Sequence, residues 1–412
     1  MPSKFITNIA YLYGIHSPQT VLRGKELSVL PCIENAYLHI EDDEIAGYGS
    51  MEDFPARKGA EITNANGGTV LPAWCDSHTH LVFVGTRENE FLDKIKGLTY
   101  AEIAAKGGGI LHSAKAVQDM SEDELFRLSW ERLQDIAKFG TGAVEIKSGY
   151  GLSTEAELKM LRVIKRLKEK SSLQIKSTFL GAHAFPEAFR DNHAGYIQKI
   201  KEEMLPMIAA EKLADYIDVF CEKGFFSVEE TEEICKAGMA LGLKPKLHVN
   251  QLNDIGAIPM AVKLNAISAD HLETMEEESV TMLAKSNTIG TLLPGAAFFL
   301  NMQFPPARAL INQNAAIALA TDYNPGSCPC GNMLMMISLA CIKMKMLPEE
   351  AVNAATINGA FAMETNSTTG SIIPGKKASI ILTKKIPSLT YLPYAFGTHP
   401  IQRVMISGEW IN

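Results

Sequence analysis

Eight short apolar runs recur through the middle of this chain, at 69–75, 142–147, 174–182, 215–221, 245–250, 265–270, 288–293 and 316–321. Their lengths suit strands of about five to six residues. Between several of them lie stretches with apolar residues three and four apart, at 121–139, 154–170 and 228–241, which read as amphipathic helices. Ser121 followed by Glu124 has the capping-box spacing, and Gly140 stops that helix. Strand alternating with helix over about 300 residues predicts an α/β fold, a (β/α)8 barrel of the TIM type. An open doubly wound sheet is the competing fold, but no Gly-x-Gly-x-x-Gly follows a strand. Gly107-Gly108-Gly109 follows a helical stretch and reads as a loop.

The ends of the chain have another texture. Residues 1–67 alternate short apolar runs with turn residues and leave no room for long helices, and the same pattern returns over 369–412. Neither end holds enough strands to bury a sheet alone. The expected organisation is therefore a small β-sandwich domain built from both termini, 1–67 with 369–412, around a barrel over 68–368.

Barrel active sites lie at the C-terminal ends of the strands, and the polar residues here sit at those ends. The first run closes on Asp-Ser-His-Thr-His, residues 76–80. Side chains two apart on a strand share a face, so His78 and His80 project together and Thr79 faces away. Two imidazoles aimed at one point make half of a transition-metal site, although one buried and one surface histidine is the alternative for the pair alone. His183, His248 and His271 follow the third, fifth and sixth runs, Tyr150 the second, Cys221-Glu222 the fourth, Pro294-Gly295 the seventh, and Asp322 the eighth. The other histidines, His16, His39, His112, His193 and His399, fall in turns, helices or terminal strands and read as surface residues.

A net charge of −8 argues against nucleic-acid and acidic-membrane partners, which need a basic face. No apolar run approaches the roughly 20 residues of a membrane helix, and Met-Pro-Ser-Lys-Phe-Ile at the N-terminus lacks a signal core, so a cytoplasmic protein is expected. Seven cysteines suit reduced thiols better than a disulfide framework. Cys32, Cys221, Cys235 and Cys341 read as small core residues. Cys328-Pro329-Cys330 is the one tight pair, a redox or metal pair in the alternative, and too closely spaced for an ordinary disulfide.

This arrangement resembles the amidohydrolase superfamily. Four local words, Glu-Ile-Lys-Ser-Gly-Tyr-Gly-Leu (145–152), Phe-Leu-Gly-Ala-His-Ala (179–184), Leu-Pro-Gly-Ala (293–296) and Thr-Asp-Tyr-Asn-Pro-Gly-Ser (321–327), make it similar to the imidazolonepropionase family within it. The resemblance implies hydrolysis of 4-imidazolone-5-propanoate to N-formimidoyl-L-glutamate in histidine breakdown, with one divalent metal ion per chain, zinc or iron. It implies His78, His80, His248 and Asp322 as metal ligands, and Arg87, Tyr150, His183, Gln251, Asn324, Gly326 and Ser327 as substrate contacts. It also suggests a homodimer, because related barrels often pair.

Two places depart from the wider pattern. Many related enzymes carry Glu three residues after the fifth-strand histidine, where this chain has Gln251, which is no base at neutral pH. Ala378-Ser379-Ile380 stands where Ala-Asp-Leu is usual, with no consequence for chemistry. With Gln251 excluded from proton transfer, His271 is expected to orient and deprotonate the attacking water while Asp322 carries the proton to the leaving nitrogen, with a ligand or supporting role as the alternative for His271. Arg87 can grip the propanoate with two parallel hydrogen bonds. His183 is expected to stabilise the oxyanion, and the Asn324–Ser327 turn to offer backbone donors to a carboxylate. The rivals are a purine or pyrimidine deaminase of the same superfamily, which favours Glu at 251, a two-metal hydrolase bridged by a carboxylated lysine, for which Lys223 lies near the right strand end, and a non-catalytic barrel.

Overall fold

A computed structural model of the chain describes residues 3–16, 20–55, 58–98 and 108–411. Gly107, grouped above with its glycine neighbours, lies outside them, while Gly109 opens a helix, Ile110–Asp119. The N-terminal segment forms β1 (Lys4–Tyr13), β2 (Cys32–Glu41), β3 (Glu44–Ser50), β4 (Glu61–Asn64) and β5 (Thr69–Pro72). A bulge at Asn8, whose φ is +54°, keeps Ile6, Ile9 and Leu12 of β1 in the same buried cluster although their spacing is three rather than two.

The chain then crosses into the barrel through a single residue, Ala73. The run read as one strand over 69–75 is therefore two. β5 pairs with β1 in the terminal sheet, and β6 (Trp74–Thr79) is the first barrel strand. It is followed by β7 (Thr141–Lys147), β8 (Gln174–Ala182), β9 (Tyr216–Cys221), β10 (Lys244–Val249), β11 (Ser268–His271), β12 (Ile289–Leu292) and β13 (Ile317–Leu319), each parallel to the next. The ring is closed beyond β13, where the Asp322 amide donates to His78 O (3.0 Å) and the His80 amide to Tyr323 O (3.0 Å). The barrel thus closes at the level of the polar strand ends. Three of the surrounding helices occupy the expected stretches, Glu122–Lys138, Thr154–Lys170 and Val228–Ala240. Ser121 caps the first by accepting the Glu124 amide.

The C-terminus adds β14 (Ile380–Thr383), β15 (Ile401–Ile406) and β16 (Glu409–Ile411), giving the order β16-β15-β14-β5-β1-β2-β3 with β4 beside β1. Both termini thus share one sheet. Bonds from Ile45 and Ala378 amides to Lys376 O and Asp43 O bring β3 back against the segment before β14, so the sheet folds around its own core of Ile6, Leu12, Leu38, Val70 and Met405. Its other side is continuous with the barrel core, which Ile381, Val404 and Ile406 join. A Cβ on Gly140 would lie 2.6 Å from Ile381 Cδ1, so only glycine allows that approach.

All seven cysteines are free. Cys221 and Cys235 are buried as expected, but Cys32 is exposed and Cys341 half-buried. β2 pairs with β3 only from Ala36 onward, so Cys32 extends beyond the cover of that strand. Among the histidines read as surface residues, His112 and His399 are exposed, whereas His16, His39 and His193 are half-buried. His39 stacks on Phe5 at 4.3 Å and His193 on Phe185 at 3.6 Å, because a flat imidazole packs well against a ring.

Candidate active site and metal centre

His78 and His80, on either side of Thr79 at the end of the first barrel strand, come together where His248 from β10, His271 from β11 and Asp322 beyond β13 meet them. His78 Nε2 and His80 Nε2 lie 3.6 and 3.5 Å from Asp322 Oδ1, and His248 Nε2 lies 3.2 Å from His80 Nε2. Two overlapping trios could hold an ion, His78 with His80 and Asp322, and His78 with His248 and His271. His271 and Asp322 take positive φ values of +89° and +55°, conformations costly for residues with a Cβ and concentrated at functional sites.

The donor chemistry fits a cation. His78 Nδ1 is bonded to Asp270 Oδ2 at 2.6 Å and His248 Nδ1 to Asp218 Oδ2 at 2.9 Å, so each proton sits on Nδ1 and each Nε2 lone pair faces the centre. His78 Nε2 is fully buried without a hydrogen-bond partner. Burial, helped by Lys147 and the neighbouring histidines, holds His78 and His248 well below the usual imidazole range; burial and His183 do the same for His80. Neutral rings are what metal binding requires. Beneath them Lys147 reaches Glu145 (2.7 Å) and Asp218 (2.8 Å), and Lys246 bonds Glu145, Ser77 O and Ala362 O. Glu145, Asp218 and Asp270 surround these two ammonium groups, and Asp322, Asp76 and Glu273 add further buried carboxylates nearby, so the centre carries more carboxylates than ammonium groups, a setting that favours a cation.

His271 Nδ1 lies 3.3 Å from Glu273. Burial opposes a charge on this ring, but Glu273 outweighs it and the pKa is raised. Asp322, pushed up to about 6 by burial, accepts from Ser327 Oγ at 2.9 Å.

Above the centre opens a cavity of about 740 Å3 that Arg87, Tyr150, His183, Gln251, Asn324, Gly326 and Ser327 all line. Every residue singled out for substrate contact therefore faces one space, of the size ligand sites usually have. Arg87 is held by Ser113 Oγ (3.1 Å from Nε) and stands 5.9 Å from the Tyr150 ring. A Cβ on Gly326 would lie 2.3 Å from Arg87 Nη1, so this glycine makes room for the guanidinium.

Two expectations change. Asn324 Oδ1 accepts the Gly326 and Ser327 amides, both at 2.8 Å, so the turn satisfies its own donors and has none to spare for a carboxylate there. His183 Nδ1 lies 3.1 Å from Gly149 O, a pure acceptor, which places the proton on Nδ1. Burial lowers its pKa to about 4, so Nε2 carries a lone pair and cannot donate to an oxyanion. Lys223 is exposed whereas the histidine and aspartate cluster is buried, which leaves the two-metal arrangement without its bridge. Cys328 Sγ points to Cys330 O at 3.7 Å, and neither thiol belongs to a trio.

Reading the runs as apolar hid several residues that build the site. Glu145, Lys147, Asp218, Lys246 and Asp270 are charges set inside these strands, and Glu145–Lys147 and Lys246–His248 repeat at the spacing of one strand face. That spacing was the available signal. Glu157 and Glu222 are buried carboxylates that tie down loops. Glu157 accepts the Gly149, Gly151 and Leu152 amides (3.0, 2.7 and 2.9 Å) around Tyr150, and Glu222 accepts Leu252 N (2.8 Å) next to Gln251. No periodicity marks Glu157, whereas Glu222 stands at the end of the fourth run, where the strand-end pattern placed it.

The profile of the amidohydrolase family matches residues 69–411. The chain is 57% identical to the imidazolonepropionase of Flavobacterium johnsoniae over 407 residues, 98% of this chain and 99% of that one. It is 52% identical to the imidazolonepropionase of Christiangramia forsetii over 408 residues, again 98% and 99% of the two chains. Among solved structures, E. coli guanine deaminase superposes with a TM-score of 0.75 at 12% identity, covering 100% of this chain and 99% of that one, a likeness of fold. The chain belongs to the metal-dependent amidohydrolase family and, within it, to the imidazolonepropionases.

Proposed function

We propose that this chain hydrolyses the ring C–N bond of 4-imidazolone-5-propanoate to give N-formimidoyl-L-glutamate, a step of histidine breakdown. The observation that carries this reading is the convergence of three neutral imidazoles and one carboxylate oxygen at the floor of a cleft that also holds Arg87. His78, His80, His248 and Asp322 would hold one zinc or iron ion, which supplies a water acidic enough to ionise near neutral pH.

The remaining chemistry belongs to side chains. His271, backed by Glu273, orients and deprotonates the attacking water, and Asp322 passes the proton to the departing ring nitrogen. Arg87 binds the propanoate, with Tyr150 along the ring and Gln251 as a neutral hydrogen-bonding partner. His183, with Nε2 free to accept, suits a substrate ring N–H. The relatives' shared name and the Gln251 position both favour this reading over the deaminase rival. Homodimerisation and a cytoplasmic location belong to the same reading, and no helix among the described residues is long and apolar enough to cross a membrane.

The test is to supply 4-imidazolone-5-propanoate and follow N-formimidoyl-L-glutamate with and without a chelator, counting metal per chain. Chelator-sensitive product is expected. Absence of product, or ammonia released from a purine or pyrimidine instead, removes the reading.

A further inference from the structure

Lys147 is wholly buried as the last residue of β7 and is not among the residues that line the cleft. Its Nζ lies 2.8 Å from Asp218 Oδ2 and 3.6 Å from Asp270 Oδ2. Those same two oxygens receive the Nδ1 protons of His248 (2.9 Å) and His78 (2.6 Å). One ammonium therefore stands between the two carboxylates that aim two different imidazoles from two different strands. Glu145 Oε1, at 2.7 Å, takes another Lys147 proton and fixes the ammonium from its own strand, and Thr178 Oγ1 donates to that same oxygen at 2.6 Å.

We infer that Lys147 is a positioning residue that clamps Asp218 and Asp270 together, and through them sets the ring orientation and Nδ1–H tautomer of His248 and His78 before any ion arrives. Two carboxylates aimed at one small volume repel strongly in a low-dielectric interior. Without the ammonium they turn apart, each imidazole loses the partner that holds its plane, and the two Nε2 lone pairs no longer meet. Lys246 provides the contrast. It is as buried as Lys147, yet it bonds Ser77 O (3.1 Å), Ala362 O (3.0 Å) and Glu145, and its charge acts on Asp270 through space without a hydrogen bond to either histidine-holding carboxylate.

The inference rests on His78 and His248 being metal ligands, and the experiment separates the two ideas. Zinc affinity of the metal-stripped protein is measured by competition with a chromogenic chelator for wild type, Lys147→Met and Lys246→Met. Lys147→Met is expected to weaken zinc binding about tenfold to hundredfold, the usual effect of losing an outer partner of a ligand, with Lys246→Met weakening it far less. Equal losses in the two variants, or unchanged affinity in Lys147→Met, overturn the clamp while the ligand reading stands. A wild type that binds no zinc overturns both. Should Lys147→Met not fold, 15N spectra of histidine-labelled wild type decide the matter: both rings are expected as Nδ1–H with and without zinc, and an Nε2–H ring in the stripped protein overturns the clamp.

Discussion

Arg87 enters the cleft with Ser113 on one side and the bare backbone of Gly326 on the other. A bidentate guanidinium–carboxylate contact contributes about 2 kcal/mol, so Arg87→Ala is expected to raise KM about thirtyfold with a much smaller fall in kcat. Steady-state kinetics check this, and equal changes would place Arg87 in the transition state. Gly326→Ala acts through the same atom. The added methyl meets only the end of a flexible side chain, so KM rises while Tm stays near that of wild type. His183 predicts a pH dependence. Its folded pKa of about 4 lies below the ordinary value of 6.5, so its contribution is present above 6.5 and is lost as pH falls toward 4. The loss is on the order of 3 kcal/mol at the acid end. Thermal melts of metal-stripped protein across that range should decline less steeply in His183→Gln; identical slopes would remove His183 as the cause. At this scale the sequence showed which residue types stood at strand ends, but the proton on His183 was set by Gly149 O, a backbone atom of another loop.

Elements position these groups, and some elements are held by one atom pair. The loop after β7 carries Tyr150 and is organised by three backbone amides on the Glu157 carboxylate, which the Thr154–Lys170 helix presents from its first turn. Charge-assisted bonds of this buried kind are worth about 1.5–3 kcal/mol each. Glu157→Gln replaces one acceptor oxygen by a donor facing an amide, so it should lower stability by about 2 kcal/mol or more and raise KM as Tyr150 loosens. Denaturant melts and kinetics on the same variant test both halves. Periodicity made three of the helices and seven of the eight barrel strands legible, since the 3.6 and 2.0 repeats are local properties of the chain. It misplaced the first strand, because Val70 and Trp74 are equally apolar and only pairing separates β5 from β6.

The terminal sheet and the barrel share a core at the scale of the whole molecule. Leu22, Leu27, Ile381, Val404 and Ile406 all come from outside 68–368, yet they pack in the barrel's own cluster. A chain cut to 68–368 would expose that surface, so it is expected to aggregate or unfold when expressed alone, as gel filtration and circular dichroism would show. A folded, cooperative fragment would make the barrel an independent unit. The excess of buried carboxylates at the centre leads to a second expectation: zinc at about a hundredfold over its Kd should stabilise the stripped protein by about 2.7 kcal/mol. Thermal melts with and without the ion check it, and no shift in Tm would separate ion binding from the folded state.

The sequence by itself determined the alternation of strand and helix, the pairing of terminal segments and the polar residues at the strand ends, because each follows from spacing along the chain. Tertiary structure alone decided which of those residues meet. It set Asp270 behind His78, Asp218 behind His248 and Lys147 between the two carboxylates, and it filled the Asn324 turn with its own hydrogen bonds. Burial and closure of the barrel bring together groups up to about 250 residues apart, and the tautomers and charges they adopt depend on neighbours that no local pattern names.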